Sequence, residues 1–152
     1  MNQHVAIKRQ KSPDYEVDGY GWAMAQATLI RDGRSDEIDW ENVGEEIASV
    51  GKREYRNAES ALRLYLRNWL KWRLQPMFHS RHLASCIASD LLGFDDVMKE
   101  NPSLEGRLPE MLAFSYHLAR SEAAIETGFD LDGIPVEAPN WEDVRRPLMD
   151  RT

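Results

Sequence analysis

His79 and His82 stand three residues apart in the run NWLKWRLQPMFHSRH, residues 68–82, and two imidazoles on one helix face can begin a metal site. Two ligands do not complete one. Metal centres in helical bundles add carboxylates from other helices, often as Glu-x-x-His, and the residues three before His79, His82 and His117 are Pro76, His79 and Phe114. A surface histidine pair at a helix start is the better reading, and no metal or other cofactor is expected. Cys86 is the single cysteine. It cannot form an intrachain disulfide, and without an activating basic setting it reads as a small buried hydrophobe.

Three polar residues stand where helical periodicity turns a side chain inward. Glu126 follows Leu112 and Ala119 at seven-residue spacing, Gln26 intrudes between Ala25 and Leu29, and Glu46 flanks Val43 and Ile47. A buried carboxylate must be paired or protonated, so Gln26, Glu46 and Glu126 could line a polar pocket suited to acid–base work or cation binding. The opposing and favoured reading is a set of hydrogen bonds and ion pairs to cations such as Lys71 or Arg73, which fixes helix register.

Trp69, Lys71, Trp72 and Arg73 interleave aromatics with cations, a composition that suits stacking on single-stranded nucleic acid. At about 100° per residue, however, both tryptophans share a sector with Tyr55, Ala58, Leu62, Tyr65 and Leu66, which makes them core. What is left is a cationic stripe of Lys52, Arg56, Arg63, Arg67 and Lys71. Charge is unevenly spread along the chain: residues 1–50 carry 5 basic and 10 acidic side chains, 51–82 carry 8 and 2, and 83–152 carry 6 and 14. With a net charge of -7, the chain as a whole disfavours nucleic acid. An acidic protein surface, or a second copy in a homodimer, needs the same stripe and fewer assumptions. The plainer alternative pairs the stripe with the chain's own acids. Asp130-Leu131-Asp132-Gly133 resembles part of a calcium loop, but its register puts Gly128 and Pro139 at ligand positions. No Gly-rich phosphate loop or nucleophile elbow is present. The expected function is therefore a non-enzymatic interaction or regulatory module.

These residues need helices to position them. The 152-residue chain is 42% hydrophobic and 30% charged, which is globular composition, and it has no apolar run long enough to span a membrane and no apolar leader. A cytoplasmic protein is expected, with a flexible arm over residues 1–13 and one helical domain over 14–152. Asp18 caps and Gly33 closes a first helix, about 19–32, with Trp22, Ala25 and Leu29 inside. Asp39 caps a second, with Trp40, Val43, Ile47 and Val50 on its buried face, and Gly51 permits a break before a long helix, about 52–75, that Pro76 ends. Ser80 opens a helix to about 99 with Leu83, Ile87, Leu91 and Leu92 inside. Asn101-Pro102-Ser103 breaks the chain before a helix that contains Pro109 and stops at Gly128. Residues 129–139 are turn chemistry, and Asn140 caps a short last helix, 141–147. No strand-like alternation persists. The fold class is all-α: a four-helix-type bundle with one long central helix, a short C-terminal helix and an irregular tail.

The ordered motifs resemble a known family. Tyr20-Gly21-Trp22-Ala23-Met24-Ala25-Gln26 with Leu29 and Arg31, Ile38-Asp39 with Glu45-Glu46-Ile47, Leu70-Lys71-Trp72 with Gln75-Pro76, Asn101-Pro102-Ser103-Leu104, and Glu126-Thr127-Gly128 before Pro135 and Pro139 are similar to the bacterial family called domain of unknown function 29. The likeness covers residues 14–147. It implies a small bacterial helical protein and brings no activity with it. Its matching positions Gln26, Glu46, Lys71, Gln75 and Glu126 coincide with the inward polar candidates. The chain departs from the pattern at Arg67-Asn68-Trp69, where the family often has a histidine, and at Ser80-Arg81, where a Ser-Trp is expected.

Overall fold

The computed structural model describes residues 13–146 and 148. The chain divides into two compact units, Met1–Gly51 and Lys52–Thr152. Its helices are α1 (Gly19–Arg31), α2 (Trp40–Leu74), α3 (Arg81–Glu100), α4 (Leu108–Thr127) and α5 (Trp141–Arg145), joined by short 3-10 turns. The protein is all-α, with a long α2 and a short α5, and no strand occurs among the described residues. None of these helices is long and apolar enough to cross a membrane. Residues 1–12 of the expected arm lie outside the described residues.

In the first unit, Asp18 accepts a hydrogen bond from the Gly21 amide at 2.9 Å and so starts α1. Gly33, at φ 68°, supplies the left-handed residue that follows its end. Trp22, Gln26 and Leu29 form the buried strip of this helix, and the Tyr15 ring meets Trp22 edge-on at 4.7 Å between centroids. An Arg34–Glu37 ion pair at 2.6 Å braces the turn before α2.

The second helix departs from expectation in two ways. It does not break at Gly51 but runs unbroken from Trp40 to Leu74. Glycine permits a break without requiring one, and the residues on both sides of Gly51 support a helix. Of the four apolar residues assigned to a buried face, only Val43 is covered, whereas Trp40, Ile47 and Val50 are 60%, 69% and 49% exposed. The first unit has a single other helix, and one neighbour shields only a narrow strip.

In the second unit α2 supplies Ala58, Leu62, Tyr65, Leu66, Trp69 and Leu70 to one core, with Trp72 and Tyr55 at its margin. Opposite them come Ile87 and Phe94 from α3, Met111, Leu112, Tyr116, Ala119 and Ala123 from α4, and Val144 from α5. Ser80 caps α3 and Gly128, at φ 71°, closes α4. Leu92 is 63% exposed rather than buried, because the inward line of α3 runs Leu83, Ile87, Leu91, Phe94 and a residue one step past Leu91 turns by about 100°. Asn140 accepts from the Asp143 amide at 2.8 Å and starts α5, which ends at Arg145.

The unbroken helix generates a test. Gly51 is exposed, and nothing lies within 4 Å of a Cβ built on it. Gly51→Ala should therefore raise stability by about 0.5–1 kcal/mol, read as a higher urea midpoint with greater helical circular dichroism. A lower midpoint would restore the break.

Candidate functional site

The basic stripe of α2 meets its counter-charges within the second unit. Helical spacing places Arg63, Arg67 and Lys71 one step beyond Leu62, Leu66 and Leu70, along the flank of the buried seam. α4 is a core neighbour there, and its Glu122 and Glu126 reach this flank. Arg63 lies 3.6 Å from Glu122, Arg67 lies 3.9 Å from Glu122 and 3.4 Å from Glu126, and Lys71 donates to Glu126 at 2.6 Å. The result is a ladder of alternating charge between two helices. Its rungs remain partly solvated, with side-chain exposures of 27% for Lys71 and 36% for Glu126.

Glu126 thus does not point into the core as its spacing suggests. The buried line of α4 ends at Ala123 and Ala124, one turn earlier, and the carboxylate turns to the cations at the rim. Gln75 donates through Nε2 to the Thr127 carbonyl at 3.2 Å, tying the end of α2 to the end of α4. Lys71, Gln75 and Glu126 are therefore brought together at one end of this helix pair. Lys52 and Arg56 are exposed, and no ion pair engages either among the described residues. Arg56 Nε donates to the Lys52 carbonyl at 3.3 Å.

Gln26 and Glu46 belong to the first unit. Gln26 is 3% exposed, and its Oε1 accepts from the Asp39 amide at 2.8 Å, securing a free donor just ahead of α2. The Asp39 carboxylate in turn accepts from Trp22 Nε1 at 3.3 Å and from Asn42 Nδ2 at 2.7 Å. The Asn42 side-chain hydrogen bond is the main cause holding its carboxyl below the usual range. These groups surround a shallow niche of about 350 Å³. Glu46 is exposed and accepts from the Tyr15 hydroxyl at 2.6 Å. That hydrogen bond is the chief reason the phenol is pushed up to about 12.

The histidines do not share a helix face, since α3 begins only at Arg81. His79 stacks on Trp72 at 3.6 Å between ring centroids, with Nε2 2.7 Å from the Trp72 carbonyl. His82 lies 3.7 Å from the half-buried Cys86 sulfur. No cluster of three potential metal ligands occurs among the described residues.

Other polar residues carry the tail of the second unit, and sequence reasoning missed them. Arg120 is 7% exposed, and its guanidinium donates to the carbonyls of Ile134 at 2.8 Å and Leu131 at 2.5 Å. Tyr116 donates to the Pro135 carbonyl at 3.0 Å and Tyr65 to the Val144 carbonyl at 2.7 Å. Periodicity did hold a signal: Arg120 directly follows buried Ala119 and lies within the inward half of the wheel. Beside this tail is an open cleft of about 580 Å³, where Arg73 sits 4.9 Å over the Trp69 ring, with Tyr116, Glu137, Asp143 and Arg146 also on its walls.

Comparison with known proteins adds one decisive finding. The family described as Domain of unknown function DUF29 has a model that matches residues 15–144. The chain belongs to that family. No curated protein and no solved structure matches it. The matched span of this DUF29 protein takes in α1, the charge ladder, the Arg120 clamp and α5.

Two measurements check these roles. Gln26→Leu leaves the Asp39 amide without its acceptor and should cost about 1–3 kcal/mol in urea denaturation, whereas Glu126→Gln, which removes a solvated pair, should cost less than about 1 kcal/mol. Tyr15, raised in the folded chain, favours folding below its ordinary value near 10 and loses that contribution as pH climbs towards about 12. Ultraviolet titration should show one late-titrating phenol, which Glu46→Gln returns towards the ordinary value.

Proposed function

We propose that this protein is a non-enzymatic interaction module that presents Lys52 and Arg56, the free end of the basic stripe, to an acidic surface on a partner. The observation that carries the reading is the division of the stripe. Arg63, Arg67 and Lys71 are spent on Glu122 and Glu126, while Lys52 and Arg56 are exposed with no ion pair among the described residues. A partner carboxylate finds two solvated cations one helical turn apart and need not displace an internal acid.

The same geometry weighs against the competing readings. Gln26 spends its acceptor on Asp39, Glu46 takes the Tyr15 hydroxyl and Glu126 takes Lys71, so each pocket candidate already serves a structural neighbour. Nucleic acid is a poorer partner, because two remaining cations release few counterions and Trp69 is 4% exposed, hidden from stacking.

Reversing Lys52 and Arg56 to glutamate should sharply reduce what a cross-linking pull-down captures, with helicity and melting temperature unchanged. Reversing Arg63 and Arg67 should instead lower stability, since each glutamate would face Glu122 or Glu126. Equal capture by the Lys52/Arg56 variant and the parent chain would rule the reading out.

A further inference from the structure

α1 carries no charged side chain before Arg31. A helix apolar on all sides is normally covered on all sides. Here Trp22, Gln26 and Leu29 are buried, yet the opposite face, made by Tyr20, Ala23, Met24 and Ala27, is largely open: Tyr20 is 79% exposed and Met24 49%. Tyr20, Met24, Ala27 and Arg31 follow one another at intervals of four, three and four residues, the spacing of a helix-pairing seam. The first unit buries only Trp22, Leu29 and Val43 among its large apolar side chains, so this seam is not a leftover of a generous core.

We infer that a second copy of this chain covers the seam, with two α1 helices packing antiparallel about a twofold axis beside Ala25 and Gln26. Two features of the first unit select that occupant. The seam is complementary to itself in this register: Met24, large, falls against Ala27, small, of the other copy, and the reverse pair repeats across the axis. The charges are also complementary end to end. The acids Glu16 and Asp18 precede α1 and the cations Arg31 and Arg34 close it, so antiparallel pairing sets acid against cation at both ends, whereas parallel pairing would set like against like. Antiparallel helices also align opposite macrodipole ends. Arg31 then lies beside Tyr20 of the other copy, within reach of its ring face. One helix pair buries less than the roughly 1,200 Å² at the low end of specific interfaces, so the dimer is weak and reversible, with a dissociation constant on the order of micromolar. This surface is separate from the Lys52/Arg56 reading and does not depend on it.

The test is sedimentation of the full chain over a concentration series. Reversible dimerisation is expected, and Met24→Glu or Ala27→Glu should weaken it by roughly tenfold or more by placing carboxylates against each other near the axis, while Met24→Leu keeps it. Circular dichroism guards against misfolding, which exposed positions should not cause. Arg31→Glu should weaken the dimer, and Glu16→Lys added to it should recover the loss. Lys52→Glu with Arg56→Glu should leave the dimer intact, which separates this surface from the proposed partner site. A chain that stays monomeric at every concentration, or a dimer indifferent to Met24→Glu and Ala27→Glu, overturns the inference.

Discussion

The second unit depends on a single buried seam, Ala58, Leu62, Tyr65, Leu66 and Trp69 along α2, because α3, α4 and α5 all contribute side chains to the core built on it. Removing such a seam from water is the main favourable contribution available to a bundle this small. Its helical pitch has a second consequence. Residues adjacent to the buried line are carried to the flank, and the flank of α2 is cationic at Arg63, Arg67 and Lys71. Wherever another helix packs on the seam, its own flanking side chains must meet that charge, and α4 answers with Glu122 and Glu126.

The internal ladder changes the meaning of the basic stripe. Five cations on one helix face suggest a single long docking strip, but a solvated ion pair contributes little to stability and still removes both charges from the surface field. The usable strip shortens to the end where no acid answers. Similar economy holds in the first unit, where Gln26 is not a reactive amide but the acceptor for an amide ahead of α2, and the Asp39 carboxylate gathers Trp22 and Asn42 around the same turn. Buried polar groups in both units serve backbone that would otherwise be unsatisfied, as Arg120 does for the carbonyls of Leu131 and Ile134.

The two units differ in how fully they use their apolar residues. The second encloses side chains such as Leu62, Met111, Ile134 and Val144 almost completely, while the first leaves Tyr20, Met24, Trp40 and Ile47 largely in water. Apolar side chains scattered singly over a surface are ordinary, but a seam at regular helical spacing is not. The regularity of Tyr20, Met24 and Ala27 is therefore more informative than their exposure alone.

Much of the architecture was legible in local chemistry. Asp18, Ser80 and Asn140 announce helix starts because a short side-chain acceptor satisfies a free amide, and Gly33 and Gly128 announce ends because a left-handed residue favours glycine. The seam of α2 was equally plain, since burial follows a period that the chain carries in its own order. Gly51 was misleading: a residue that lowers helix propensity states a cost, and only the whole helix decides whether that cost is met. The exposure of Trp40 and Ile47, the turn of Glu126 towards Lys71, and the burial of Arg120 against the tail were decided by tertiary structure alone. Periodicity tells which residues share a face, but whether a face meets another helix, a counter-charge or water depends on partners far away in the chain. Helix, cap and stripe were thus written locally, and the identity of each stripe's neighbour had to await the fold.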